Sequence, residues 1–346
     1  VRWRAGQPLA VNQPLVSICI PTFNRPELLA RAVHSCLGQT YRNFEIVITD
    51  NSDGDASRDF IARLNEPRVR YHKNDENIGG YKNLLKVMSL ARGTYLSLLM
   101  DDDLLKPRAL ELMVEAFEQH PTAGVVMAPM AMIDEEDRRI FPYFYIFRKM
   151  HYRYRFQVGD GLVERRKVLK TFLVDDYPCC VPSGVMYRAA ALQKVGTLDP
   201  KCGFAVDLDL SMRIAVHYDF YYIDQVLSSW RFMPANETAI SHQKGFNIAS
   251  FYYITRKILA DENAMNLFPR SEWPRLKRQS IYFCSCRALL NLLAGIHARS
   301  WSIIADVFRV IWREDPYLAN KLKLPWFIVR QIFISFIPPG KPLPKE

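Results

Sequence analysis

From Leu15 to Glu118 the chain repeats one unit: a short apolar run, a polar cluster, then a segment of helical periodicity. LVSICIP (Leu15–Pro21) reads as a buried strand, and RPELLARAVHSCLGQT (Arg25–Thr40) as a helix with Pro26 in its first turn and Gly38 near its end. NFEIVITD (Asn43–Asp50) and ASRDFIARLN (Ala56–Asn65) form a second pair, VRYHKN (Val69–Asn74) and YKNLLKVMSLA (Tyr81–Ala91) a third. The apolar run Tyr95–Met100 is a fourth strand, with a helix predicted over Leu104–Glu118. Strands and helices alternating at this spacing imply a mainly parallel sheet with helices on both faces. Ligands of such sheets bind beyond the carboxyl ends of the strands. The polar clusters fall there: Thr22-Phe23-Asn24-Arg25, Asp50-Asn51-Ser52 and Asp101-Asp102-Asp103.

Three adjacent carboxylates at a strand end repel one another and cost desolvation energy, so a compensating partner is expected. One reading is a helix N-cap with an acidic first turn, which accounts for one or two of them. A calcium loop needs a longer ligand spacing. The remaining reading is Mg²⁺ or Mn²⁺ held by one or two carboxylates together with phosphate oxygens.

The second half begins with a predicted strand, AGVVMAPMAMID (Ala123–Asp134), and an aromatic-basic stretch over Phe141–Phe156. VPSGVMYRAAALQKVGTLDP (Val181–Pro200) reads as a strand and short helix, DLDLSMRIAVHY (Asp207–Tyr218) as a helix, and FYYIDQVLSSWRF (Phe220–Phe232) as a strand or hairpin. From about Ala239 the periodicity is helical. With 346 residues, 49% hydrophobic and 24% charged, the chain is globular rather than disordered. Seven scattered cysteines, with no matching Cys/His set for zinc, argue for a reducing compartment rather than a disulfide framework. The opening VRWRAGQPLAVNQP lacks the apolar core of a leader.

VSICIPTFNRPELLARAVHSCLGQTYRNFEIVITDNSDGD, NIGGYKN and ARGTYLSLLMDDDLLKP, in that order, closely resemble the family 2 glycosyltransferases. The resemblance runs from about Leu15 to Ser241 and implies a GT-A fold, Rossmann-like, of the nucleotide-diphospho-sugar transferase type. It also implies a nucleotide-sugar donor, a divalent ion on the aspartate motif and inversion at the anomeric carbon. Carried onto this chain, Pro21, Thr22, Asn24 and Arg25 match the first nucleotide-binding loop. Asp50 matches the aspartate that reads a uracil or thymine N3–H, which a carboxylate accepts, and Asn51 stands where many members have a second aspartate. Gly79, Lys82 and Asn83 fall on the next loop, with Lys82, a point charge without a fork, in place of arginine. Pro107 fixes the register of the acidic motif, giving Asp102 the direct metal contact with Asp101 and Asp103 assisting.

On the acceptor side, GFAVDLDLSMRIA (Gly203–Ala215) resembles the family helix carrying the general base. In that register Asp207 is the base, Val206 replaces the usual glutamate, and Asp209 is its rival, otherwise expected near the sugars. The alternative for both aspartates is helix capping. Pro182, Ser183 and Gly184 match a segment under the acceptor and donor sugar. Trp230 and Arg231 match the segment that usually ends in histidine; here Met233 stands in that place. Arg231 is then expected to bring positive charge to the phosphates, with His242 a weaker candidate and Trp230 either an acceptor platform or core.

The predicted organisation is an extension over 1–14, a catalytic domain over 15–240 with a nucleotide half (15–122) and an acceptor half (123–240), and a basic helical region over 241–346. From Met265 to Glu346 there are 13 Lys and Arg against 5 Asp and Glu, most of the net charge of +10. Helices in Arg299–Asp315 and Leu324–Pro339 present Trp, Phe, Ile and Arg; the second, at about 1.5 Å per residue, is too short to cross a bilayer. Two readings stay open for them: a peripheral contact with the inner face of the cell membrane, suiting a lipid-linked acceptor, or packing on the catalytic domain or a second copy. Nucleic acid is not expected, since no recognised module accompanies the charge. The expected activity is transfer from a UDP- or dTDP-sugar to a surface-glycan hydroxyl, in the cytoplasm. The alternatives are a nucleotidyltransferase, which would release pyrophosphate, and a non-catalytic scaffold.

Overall fold

The computed structural model describes residues 13–140, 160–175, 182–233, 248–297 and 301–315. Its first half follows the alternation: β1 (Val16–Thr22), α1 (Pro26–Leu37), β2 (Phe44–Asp50), α2 (Ala56–Leu64), β3 (Val69–Lys73), α3 (Gly80–Ser89) and β4 (Tyr95–Leu98). Strands β3, β2, β1 and β4 lie side by side and parallel. Side chains alternate across a strand. Ile18 and Ile20 therefore enter the core beneath α1, while Cys19 between them enters the core on the opposite face.

Two expectations fail beyond β4. The helix predicted from Leu104 begins only at Ala109 (α4, Ala109–Gln119), and Leu104–Leu105 forms a short strand, β5. Pro107 explains this, because its ring disfavours helical backbone in the residue before it. The aspartates are therefore not the cap of that helix. The apolar run Ala123–Asp134 likewise divides into β6 (Ala123–Met127) and β7 (Met130–Ile133), in different sheets. The break falls at Pro129, which has no N–H for a ladder.

The rest of the sheet comprises β9 (Gly161–Val163), β10 (Val185–Arg188) and β11 (Asp219–Tyr222). The order is β3-β2-β1-β4-β10-β6-β11-β9, with β10 antiparallel to both neighbours and β11 parallel to β6. Three helices accompany these strands: α5 (Arg165–Val174), α6 (Ala189–Val195) and α7 (Val206–His217). Phe220–Phe232 is no hairpin: β12 (Ser228–Arg231) leaves for a second sheet, ordered β5-β12-β7-β8, where β8 is Arg139–Ile140. The aromatic-basic stretch 141–156 lies outside the described residues.

The C-terminal helices are α8 (Ile248–Leu259), α9 (Glu262–Asn266), α10 (Trp273–His297) and α11 (Trp301–Glu314). Ile254, Ile258, Leu259, Ala264, Phe268, Trp273 and Leu276 share the core of the main sheet. Burying each large apolar side chain contributes roughly 1.5–3 kcal/mol. Helices α8, α9 and the start of α10 thus pack on the sheet. Val307 and Ile311 of α11 close against Tyr252, Cys284 and Ala288. Among the described residues no helix is long and apolar enough to cross a membrane. Cys19, Cys36, Cys202, Cys284 and Cys286 are buried free thiols.

Candidate active site

The carboxyl ends of β1, β2 and β4 open on one edge of the sheet. Thr22, last in β1, donates its hydroxyl to Asp101 Oδ2 at 2.7 Å, joining the ends of two adjacent strands. Arg25, one turn later, reaches Asp102 Oδ2 at 3.1 Å and Asp101 Oδ1 at 3.5 Å. Pro21 sits opposite Thr49 in the β1–β2 register. Asn24, in left-handed backbone at φ 53°, ties the first loop to the second. Its amide nitrogen donates to Ser52 Oγ at 2.7 Å and its side chain to Asp53 Oδ2 at 3.1 Å. Between them Phe23 stands 43% exposed, an apolar ring at the mouth of a polar site that the motif matching passed over.

Several residues expected on the nucleotide face inward. Asp50 is wholly buried: its Oδ1 accepts from Ser52 N and its Oδ2 from the Tyr71 hydroxyl, each at 2.7 Å. Expected to meet a base, Asp50 here has both oxygens engaged by the chain itself, which ties the second loop to β3. Asn51 and Asn83 are also buried, joined through Asn74, whose Nδ2 donates to Asn51 Oδ1 at 2.6 Å and to Asn83 Oδ1 at 2.9 Å. Asn83 in turn donates to the carbonyls of Thr22 and Thr49, both at 3.2 Å, closing the gap where β1 and β2 diverge. It thereby holds the first turn of α3 against this edge. Gly79, at φ 84°, makes the turn into that helix, and Lys82 projects from it exposed.

The three aspartates part company. Burial, then the Asp102 charge, push Asp101 up to about 6, against the pull of Thr22 and Arg25. Burial also raises Asp102, with Arg25 opposing. Asp103 is fully buried and turned to the second sheet, where its Oδ1 accepts from Arg231 N at 2.9 Å. Its Oδ2 accepts no hydrogen bond of normal geometry. Asp101 and Asp102 are two crowded carboxylates, disfavoured as anions by burial and ion-paired to Arg25, a pair that could hold a divalent ion. Asp103, expected to assist, is directed to Arg231 of β12 rather than to Arg25. Among the described residues, the one set of such donors converging within 4.8 Å is Asp199, Cys202 and Asp209.

Arg231 is also placed otherwise than expected. Its side chain is wholly buried, with Nε on the Asp102 carbonyl at 2.9 Å, Nη1 on the Asp134 carbonyl at 2.5 Å and Nη2 on the Asp137 carboxylate. It braces the aspartate loop from behind and does not reach the cleft. Trp230, half-buried beside it, meets Phe232 edge-on at 6.1 Å. Met233 is half-buried, and His242 lies outside the described residues.

The acceptor-side segments reach the same edge through topology. Because β10 runs against its neighbours, the turn that enters it, Pro182–Gly184, lies at the carboxyl ends of β4 and β6. Ser183 Oγ accepts from Met100 N at 3.0 Å, directly beside the aspartates. A Cβ on Gly184 would sit 3.0 Å from the Ala128 carbonyl, so this strand crossing is close. Helix α7 ends one residue before β11, so it runs back along the sheet and starts at the same edge. Asp207, in its first turn, accepts from the adjacent Leu208 amide at 2.8 Å and is half-buried. Asp209, the other residue expected there, is buried and ion-paired to Arg213 at 2.8 Å and Lys257 at 2.9 Å.

A mainly parallel sheet with two reversed strands, β10 and the edge strand β9, an acidic turn after β4 and a small-residue turn beside it make a GT-A fold. The chain belongs to glycosyl transferase family 2, whose family model matches residues 17–196. It is 34% identical over 119 residues to the putative colanic acid biosynthesis glycosyl transferase WcaA of Escherichia coli K12, covering 34% of this chain and 43% of that one. The fold is shared with S. aureus TarS 1–349 in complex with UDP-GlcNAc, at a TM-score of 0.55 and 15% identity over 86% of this chain and 91% of that one. It is shared too with the mannosyltransferase PcManGT of Pyrobaculum calidifontis in complex with GDP-Man and Mn²⁺, at 0.53 and 15% over 96% and 91%.

Proposed function

We propose that this glycosyltransferase is inverting and metal-assisted, moving a sugar from a UDP- or dTDP-linked donor to a hydroxyl of a growing or lipid-linked surface glycan. The observation that carries the reading is the Thr22–Asp101 and Arg25–Asp102 pairing across the ends of β1 and β4, on the edge where α7 begins. Phe23 offers its exposed face for the base to stack on. Asp53, exposed and held by Asn24, replaces Asp50 as the carboxylate within reach of a base N–H. Arg25 and Lys82 supply positive charge for the diphosphate. Asp101 and Asp102 would hold Mn²⁺ or Mg²⁺, which when bound neutralises charge on the departing diphosphate.

Asp207 takes the proton of the acceptor hydroxyl. That oxygen forms a bond to the anomeric carbon as the bond from the same carbon to the diphosphate oxygen breaks, and the nucleoside diphosphate leaves with the electron pair. Transfer from the face opposite the leaving group gives inversion. Orientation and preset electrostatics lower the barrier. The reading is tested by a thermal-shift screen of UDP, dTDP, GDP and their common sugars with and without Mn²⁺. A metal-dependent rise with UDP or dTDP supports it, because a ligand that binds only the folded state stabilises it by mass action. Equal rises with GDP would remove the pyrimidine preference, and no rise with any nucleotide would defeat the reading.

A further inference from the structure

Asp199, Cys202 and Asp209 gather three potential metal donors within 4.8 Å, yet the cation among them is already part of the chain. Lys257 of α8 places its ammonium 2.8 Å from Asp199 Oδ2 and 2.9 Å from Asp209 Oδ1. Tyr253, one turn earlier on α8, donates to Asp199 Oδ2 at 2.9 Å. Burial disfavours the Lys257 ammonium, but its hydrogen bonds to Asp199 and Asp209 outweigh this and hold its pKa above the ordinary value. The Cys202 thiol is pushed up to about 12, first by burial and then by the two carboxylates, so beside the Lys257 ammonium it stays a protonated thiol. The second oxygen of Asp209 takes Arg213 Nε at 2.8 Å. Arg213 also grips the carbonyls of Val195 at 2.6 Å and Thr197 at 2.9 Å.

The consequence lies in helical geometry. Residues two apart on an α-helix point about 200° apart around its axis. Asp209, held inward by Lys257 and Arg213, therefore fixes the rotation of α7 that turns Asp207 the other way. The loop leading into α7 is fixed by the same ammonium through Asp199. We propose that Lys257 is a positioning residue for the transfer reaction: from a C-terminal helix it sets the rotational phase of α7 and so the aim of the Asp207 carboxylate. The inference rests on Asp207 as the base. It also explains why α8 packs on the catalytic sheet: the helix completes the acceptor side of the site.

Hydrogen exchange, nucleotide binding and steady-state kinetics on the full chain test it. The variants are Lys257→Met, Lys257→Arg and, to avoid leaving Asp209 as a buried unpaired charge, the double variant Lys257→Met/Asp209→Asn. In Lys257→Met, or in the double variant should the single one not fold, amides of residues 199–209 should exchange at least about tenfold faster, as expected of a loosened local unit. Those of β2 should be unchanged. UDP binding with Mn²⁺, read by calorimetry, should stay within about twofold, since the proposed nucleotide contacts lie on the first loop, α3 and the acidic turn rather than on α7. With the donor found in the nucleotide screen, kcat should fall by up to about a hundredfold while the donor KM is kept, the scale of a base displaced by about 1 Å. Lys257→Arg should restore most of both losses. Unchanged exchange over 199–209, a rise spread equally over β2, or an unaltered kcat would overturn the inference. A wild-type chain that binds no nucleotide would instead defeat the glycosyl-transfer reading, leaving exchange alone to judge whether Lys257 holds α7.

Discussion

The Thr22 hydroxyl lies 2.7 Å from Asp101 Oδ2, and this one bond couples the end of β1 to the first residue of the acidic turn. Replacing Thr22 with Val keeps the shape and removes the donor. The buried carboxylate then loses a partner, a change that costs about 1–3 kcal/mol. Urea unfolding should show that loss for Thr22→Val and little of it for Thr22→Ser.

Arg231 should matter for stability and loop shape rather than for charge in the cleft. Its donors go to the Asp102 and Asp134 carbonyls and the Asp137 carboxylate. Arg231→Met removes them together and leaves the Asp102 and Asp134 carbonyls without these donors, at about 1–3 kcal/mol for each buried group left unsatisfied. Arg231→Lys should be nearly as damaging, because an ammonium lacks the planar fork that serves three acceptors at once. Thermal unfolding checks both.

Much of this site was legible in the residues, and the exceptions have a common cause. Strand-helix alternation and polar clusters at strand ends are local patterns, so the mainly parallel sheet and the place of Thr22, Arg25, Asp101 and Asp102 at strand ends could be read directly. Whether a polar side chain faces the cleft or the core depends on partners distant in sequence. Asp50 is enclosed by Tyr71, Asp103 is claimed by the Arg231 amide, and Asp209 is claimed by Lys257. Asn74 was passed over because nothing local distinguishes it from a strand-ending asparagine. The breaks at Pro107 and Pro129 were visible, and fuller weight on the prolines would have ended both elements correctly.

Stability in acid should depend on Asp199. Its hydrogen bond with Lys257, above all, holds its carboxyl down to about 2 from the ordinary value of 3.8. A depressed folded pKa means the contribution is complete above about pH 4 and is lost as pH falls towards 2. Between pH 4 and 2 the wild type should lose stability that Asp199→Asn, already without the ion pair, does not lose. Denaturant midpoints across that window give the comparison.

Asp207→Asn keeps the size of the side chain and removes its basicity. General-base catalysis contributes about a hundred- to ten-thousandfold. Transfer should fall by that factor while binding of the nucleotide with Mn²⁺ is unchanged. Turnover that survives the substitution would reassign the base.

Calorimetric titration of UDP into the wild type with Mn²⁺, into the wild type with EDTA, and into Asp102→Ala with Mn²⁺ examines the acidic turn itself. UDP should bind the first sample and bind the other two at least about tenfold more weakly, a difference of about 1.4 kcal/mol. Equal affinity in all three, or no binding in any, would contradict a nucleotide site built on Asp101 and Asp102.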